Sequence, residues 1–253
     1  MRYAALAAVL IGSCGVVAGC DKSPQTATAP SAVAAAAEAQ PQGAADAPGQ
    51  KRYRVTIENL TKGQPFSPGV AVTHTQKASL FQVGSAASAG IRAIAEDGDP
   101  SVAVALAGQP GIDEVVELAS PVHRIGGPGP TKLTFEIGAS ANANRLSLAV
   151  MLICTNDGFT GLDGIKLPGG FSPDEYHTAG YDAGTEANNE RFTQIVDPCQ
   201  AIGPVAAPPD GNGRVATSGV IAHHPGVQGG ADLKIAEHGW RGPVARILVE
   251  RLK

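Results

Sequence analysis

Two short segments carry residue types whose spacing could do chemistry: Thr155-Asn156-Asp157-Gly158-Phe159 and Tyr181-Asp182-Ala183-Gly184-Thr185-Glu186. They flank a Gly- and Pro-rich stretch. Each sets carboxylates beside a glycine, which suits a tight turn whose side-chain and main-chain oxygens face a common centre. The chemistry two such turns offer is coordination of a hard cation. Calcium takes about six to eight oxygen ligands at ~2.3–2.6 Å and tolerates irregular geometry, so loops supply it more readily than helices do. The competing reading is of ordinary turns between strands with solvated carboxylates.

Other polar clusters offer alternatives. Glu96, Asp97 and Asp99 fall at the end of a segment with helical spacing, where the helix dipole is negative, so this acidic group invites a cation partner. Glu136 is a weaker candidate: it lies near the turn that follows its strand, while Asp157 lies beyond the far end of the next one. His223, His224 and His238 flank a Gly-rich segment with Asp232 and Glu237, parts from which a zinc hydrolase could be assembled. Adjacent histidines on a strand point to opposite faces, however, and no His-Glu-x-x-His, Cys-x-x-Cys or Gly-x-Ser-x-Gly motif is present. The plainer reading is a hydrogen-bonded histidine pair ahead of the Pro225-Gly226 turn, with Trp240 packed under a sheet rather than against a sugar.

The elements that must position these residues read mostly as strands. Tyr53, Val55 and Ile57 alternate with Arg54, Thr56 and Glu58, and Leu133, Phe135 and Ile137 alternate with Lys132, Thr134 and Glu136, each pattern placing one face inward. Leu146 to Cys154 is apolar at nearly every position, which predicts a central strand packed on both sides. Gly138 to Asn144 then reads as a hairpin loop. Val244 to Leu252 predicts a closing strand, with Ala245, Ile247 and Val249 on one face and Pro243 at its start. Only Ser88 to Glu96 has helical spacing. Many short strands with frequent Gly and Pro predict an all-β fold, an antiparallel β-sandwich with little helix.

The N-terminus bears on location. Arg2 precedes an apolar run from Tyr3 to Val17, too short to span a bilayer of ~30 Å and suited to a signal peptide. The run closes on Val17-Ala18-Gly19-Cys20, which resembles a bacterial lipobox, with Cys20 as the lipidated residue; Cys14 is a competing match. The expectation is a signal peptide over 1–19, a flexible, disordered Ala/Pro-rich tether over 20–50 that cannot bury enough surface to order itself, and one domain over 51–253. That arrangement implies a lipid-anchored protein of the bacterial cell envelope, facing the periplasm or exterior. Acidic residues number 23 against 19 basic, and the basic residues are scattered, so nucleic acid is not an expected partner. Cys154 and Cys199 remain after processing. In an oxidising compartment they could form a disulfide contributing roughly 4 kcal/mol, or Cys154 could be a small buried apolar residue.

The stretch Tyr53 to Thr61, then Gly63-Gln64-Pro65-Phe66-Ser67-Pro68 with His74, Gly90 to Glu96, Asn156 to Gly161, and Tyr181 to Glu186, in this order, resembles the spondin domain of F-spondin and mindin. Pro243 to Arg251 is similar to the closing strand of that family, so the likeness spans nearly all of 51–253. The resemblance implies an antiparallel sandwich with a calcium ion held by loops at one end. Asp157 and Asp182 match the family's acidic loop positions and are the principal implied metal ligands. Glu186 closes the second motif as a further ligand or an acceptor beside one, and main-chain carbonyls near Thr155 would complete the shell. Where animal members more often carry Pro-Asp-Trp-Phe, this chain has Asn-Asp-Gly-Phe. The expected function is a non-enzymatic calcium-binding module for adhesion that holds a protein, glycan or lipid-headgroup ligand. The alternatives are the histidine-centred hydrolase or a purely structural envelope domain.

Overall fold

The computed structural model describes residues 49–253. The expected signal peptide, both candidate lipidation cysteines, Cys14 and Cys20, and the tether up to residue 48 lie outside the described residues. Among the described residues no helix is long and apolar enough to cross a membrane.

In chain order the strands and helices are β1 (Lys51–Asn59), β2 (Phe66–His74), α1 (Ala89–Asp97), α2 (Ser101–Val104), β3 (Ile112–Leu118), β4 (Lys132–Ala139), β5 (Arg145–Leu152), β6 (Gly158–Lys166), β7 (Asp174–Thr178), β8 (Gly180–Asp182), α3 (Pro198–Ile202), β9 (Ala222–His223), α4 (Ile235–His238) and β10 (Ala245–Arg251). They form two antiparallel sheets, ordered β4-β1-β10-β7 and β3-β2-β5-β6-β8-β9. The all-β sandwich expected from the sequence is therefore the fold.

The alternation in β1 has a direct physical cause. Tyr53, Val55 and Ile57 enter the core between the sheets, while exposed Arg54 and half-buried Thr56 and Glu58 lie on the outer side of the smaller sheet. β10 repeats the pattern with Ala245, Ile247 and Val249, paired to β1 from Tyr53↔Arg251 to Asn59↔Ala245. β5 is apolar at nearly every position after Arg145, Ser147 excepted, because it feeds two cores. Leu146, Leu148, Val150 and Leu152 pack between the sheets. Ala149, Met151 and Ile153 point the other way, against Ile91, Ile94 and Ala95 of α1. A strand covered on both faces has no position left for a solvated residue.

The expected hairpin at Gly138–Asn144 is not one. β4 pairs with β1 and β5 pairs with β2 and β6, so this connection crosses from one sheet to the other. Two strong strands adjacent in sequence do not declare which sheet each joins, and here the faces they bury against each other are sandwich faces rather than ladder edges. The predicted helix is α1. Ser88 caps its first turn by accepting from Ile91 N at 3.2 Å. Gly98, in the left-handed conformation at φ 65°, ends it by donating to Ile94 O. Three further helices of four or five residues, α2, α3 and α4, were not expected; each is too short to show a 3.6-residue period.

Cys154 and Cys199 form a disulfide that ties the end of β5 to α3. Beside it the Gln64 side chain, fully buried, accepts from Cys154 N at 3.0 Å and donates to Cys154 O at 3.1 Å and His238 O at 2.7 Å. These bonds join β5 to the segment before β10. Replacing both cysteines with serine is expected to lower unfolding free energy by about 2–4 kcal/mol, read as a drop in denaturation midpoint with the native far-ultraviolet circular dichroism spectrum retained. An unchanged midpoint would show that the crosslink adds nothing beyond the noncovalent packing around it.

Candidate metal centre

Asp157 sits at the start of β6 and Asp182 at the end of β8, and the ladder between these strands brings them together. Gly158 is opposite Asp182, and Ala183 N donates to Asp157 O at 3.1 Å. Neighbouring strands lie only ~4.8 Å apart, so the two acidic segments meet at one end of the larger sheet, as the sequence pattern requires.

The local folding of each segment decides which oxygens are free. Thr155 Oγ1 donates to Leu152 O at 2.6 Å and accepts from Gly158 N at 2.9 Å, closing the first turn. Asn156 is equally committed, donating to Gln194 O at 2.9 Å and accepting from Glu190 N at 3.2 Å. Asp157 is fully buried. Its Oδ2 accepts from Thr185 N at 2.7 Å, Glu186 N at 2.9 Å and Thr185 Oγ1 at 3.2 Å, so this one atom folds the second acidic segment over the first. Its Oδ1 is buried with no hydrogen-bond partner.

Asp182 is half-buried and serves its own turn. One oxygen accepts from Gly184 N at 2.6 Å and the other from Asn188 Nδ2 at 2.5 Å. Gly184 has φ 71°, and a Cβ there would come within 2.8 Å of Val220 backbone, so this position in the second motif requires glycine. Glu186 is only 3% exposed, and neither carboxylate oxygen has a hydrogen-bond partner. Arg214 Nε stands 2.9 Å from Glu186 Oε1 without directing its N–H there, a contact of charge rather than a formed hydrogen bond.

The acidic end of α1 joins the same neighbourhood. Glu96, 3% exposed, accepts from Arg92 Nε at 2.8 Å and lies 3.6 Å from Arg214 Nε. Arg214 also pairs closely with Asp97, which accepts from Asn212 Nδ2 as well. The cation that the acidic helix terminus invites is therefore an arginine more than a hundred residues away in the chain. Asp99 turns aside to accept from Ser101 N at 2.9 Å and Ser101 Oγ at 3.0 Å. Glu136 is spent on an exposed ion pair with Arg54 at 3.4 Å.

Electrostatically the pocket is short of positive charge. The charges of Glu96, Asp157 and Asp97 all act on Glu186, against the guanidinium groups of Arg92, which pairs with Glu96, and Arg214. Carboxylates outnumber guanidinium groups there. The consequence falls on Glu186, whose pKa is pushed up to about 8 by burial and then by Glu96. Arg214 pulls it down, and Asp157 and Asp97 add to the rise. Burial, and then the Asp182 charge, also raise Asp157, against the lowering effect of its backbone donors. Among the described residues no three Asp, Glu, His or Cys side chains already stand in metal-holding geometry. The donor set nonetheless fits a hard cation. It is all carboxylate oxygen, and the orphaned atoms, Asp157 Oδ1 and both oxygens of Glu186, are the kind a metal would satisfy.

The histidines do not converge. His223 is exposed and stacks on Tyr181 with ring centroids 5.3 Å apart, whereas His224 faces Trp240 at 5.2 Å and accepts from Gly226 N through Nδ1. His238 is buried, accepts from Lys234 N through Nδ1 and lies edge-on to Phe192. Burial lowers the pKa of both His224 and His238. Trp240 packs partly buried against the sandwich core, under the sheet as expected.

Sequence reasoning missed Arg214, and also Glu190, which holds a left-handed φ of 58° and whose carboxylate accepts from Gln228 N and Gly230 N. Both lie in segments without periodicity, so no local pattern announced them.

The raised pKa of Glu186 has a defined sign. The native carboxyl holds its proton more tightly than the unfolded one, so its contribution to stability is full below about pH 4.5 and is lost as pH rises through about 8. His224 and His238 act oppositely, but only as pH falls toward and below about 6.5. In chelator-treated protein the melting temperature is expected to fall between about pH 6.5 and 8, and Glu186→Gln is expected to flatten that decline. A melting temperature that rises over this interval in the parent would contradict the assignment.

No curated protein matches the chain. The Spondin_N family model matches residues 54–196, a span running from β1 to the segment before α3 that contains Asp157, Asp182 and Glu186. With more than half of its length matched, the chain belongs to the Spondin_N family.

Proposed function

We propose that this protein is a calcium-binding recognition module of the cell envelope, held to a membrane by lipid on Cys20 and using a calcium-stiffened loop end to engage a protein, glycan or lipid-headgroup ligand. It works by binding rather than by turnover. Membership of the Spondin_N family supports an extracellular or secreted type of module. The single observation that carries the calcium reading is the set of buried carboxylate oxygens without hydrogen-bond partners, Asp157 Oδ1 with Glu186 Oε1 and Oε2, in a pocket where carboxylates outnumber guanidinium groups.

In this reading Asp157 and Glu186 would hold the ion directly. Asp182 would contribute a third carboxylate, partly engaged in its own turn. Bound calcium would partner the unsatisfied carboxylate oxygens and fix the 182–186 segment, which Asp157 Oδ2 already positions. The ligand-facing surface would then be the loops around this end of the larger sheet.

Calcium that binds only the folded form raises stability by about 2.7 kcal/mol at a hundred times its dissociation constant. The melting temperature of the parent should climb with calcium concentration. Asp157→Asn is the informative variant, because its amide oxygen can still accept from Thr185 N and Glu186 N while the charge is gone. Asp157→Ala would instead leave two backbone donors unpaired, at about 1–3 kcal/mol each. Asp157→Asn and Asp182→Asn are both expected to lose most of the calcium-dependent rise. A parent melting temperature indifferent to millimolar calcium would reject the reading.

A further inference from the structure

We propose that Arg214 is a built-in counter-ion that occupies the acidic pocket in the metal-free protein and gives up Glu186 when a divalent cation enters, retreating to Asp97 at the rim. The inference rests on the calcium reading above and adds the residue that sets how tightly the site binds.

Three features of Arg214 support it. The first is position: its Nε is 2.9 Å from Glu186 Oε1 and 3.6 Å from Glu96 Oε2, so it stands against the buried oxygens a metal would use. A divalent ion at a coordination distance of ~2.3–2.6 Å from the same Glu186 oxygen would place two cations side by side in a poorly solvated pocket, where their repulsion is strong. The two occupants are therefore alternatives. The second is that the contact with Glu186 is not a hydrogen bond, since both Glu186 oxygens remain without a donor. Releasing it breaks no formed hydrogen bond at that carboxylate. The third is mobility without unfolding. The backbone around Arg214 is pinned: Gly213 N donates to Thr193 O, Ala187 N to Val215 O and Thr217 N to Thr185 O, each at 2.8 Å, and Glu186 and Ala216 form a β-bridge. The Arg214 side chain is 37% exposed, whereas that of Glu186 is 1% exposed, so the guanidinium has a path outward and the carboxylate has none.

The rim partner is already in place. Asp97 has a half-exposed side chain, pairs closely with Arg214 and accepts from Asn212 Nδ2, which anchors the withdrawn guanidinium. A swing from Glu186 to Asp97 keeps Arg214 paired and clears the inner oxygens.

The test uses the full chain with calcium as the probe. Calorimetric titration should show Arg214→Met binding calcium at least tenfold more tightly than the parent, because no internal cation has to be displaced. In the parent, the 15N-resolved Nε–H resonance of Arg214 should shift on saturation with calcium; this readout stands even where the variant is too unstable to measure. Equal or weaker binding by Arg214→Met, or an Nε–H resonance unmoved in calcium-saturated parent protein, would overturn the inference while leaving the calcium site intact. Absence of calcium binding to parent and variant alike would overturn both.

Discussion

One buried carboxylate oxygen organises the functional end of this protein. Asp157 Oδ2 accepts two backbone N–H groups and one hydroxyl from Thr185 and Glu186. A charged acceptor for buried backbone donors makes a stronger bond than a neutral one, and unmade bonds of this kind are costly inside a protein. The arrangement fixes where the second acidic segment lies. Glu186 is carried inward with no hydrogen bond of its own, Asp157 Oδ1 is left over, and the strain in charge that results is what the surrounding arginines only partly relieve.

The scaffold explains why such a pocket can persist. β5 and the first half of β6 are buried, so the turn joining them at Thr155–Asp157 emerges from inside the larger sheet's packing. The disulfide and Gln64 lock the same end of β5 to α3 and to the chain before β10. On the helical side, the Gly98 cap stops α1 so that Glu96 faces inward and Asp97 remains at the rim. Acidic groups from α1, the β5–β6 turn and the segment after β8 are thereby concentrated with little freedom to separate, a condition that favours capture of a cation over relaxation of the loops.

Much of this could be read from the chain itself, for reasons that can be stated residue by residue. The alternation in Tyr53–Glu58 and the nearly unbroken apolar run of Leu146–Ile153 each report how many faces a strand buries, which is a local property. Asp157 and Asp182 were legible because each sits beside a glycine in a turn, and Ser88 and the apolar spacing that follows it marked α1. What escaped depended on distant partners. The assignment of β4 and β5 to different sheets is decided by pairing with β1 and β2, not by the residues between them. Arg214 matters only because the fold brings it to Glu96, Asp97 and Glu186, and an isolated arginine in a Gly- and Ala-rich segment has no signature of that role. Similarly, the acceptor role of Asp157 Oδ2 is set by the 185–186 backbone, which no side-chain pattern encodes.

In the proposed reading the orphaned oxygens of Asp157 and Glu186 mark the seat of a divalent cation. Crystals grown with terbium, a luminescent stand-in of similar size and oxygen preference, would test it through anomalous scattering. An anomalous peak is expected within about 2.3–2.6 Å of Asp157 Oδ1 and of a Glu186 carboxylate oxygen, with the Arg214 guanidinium withdrawn toward Asp97. A fully substituted lanthanide elsewhere on the protein, with this pocket still closed around Arg214, would contradict it.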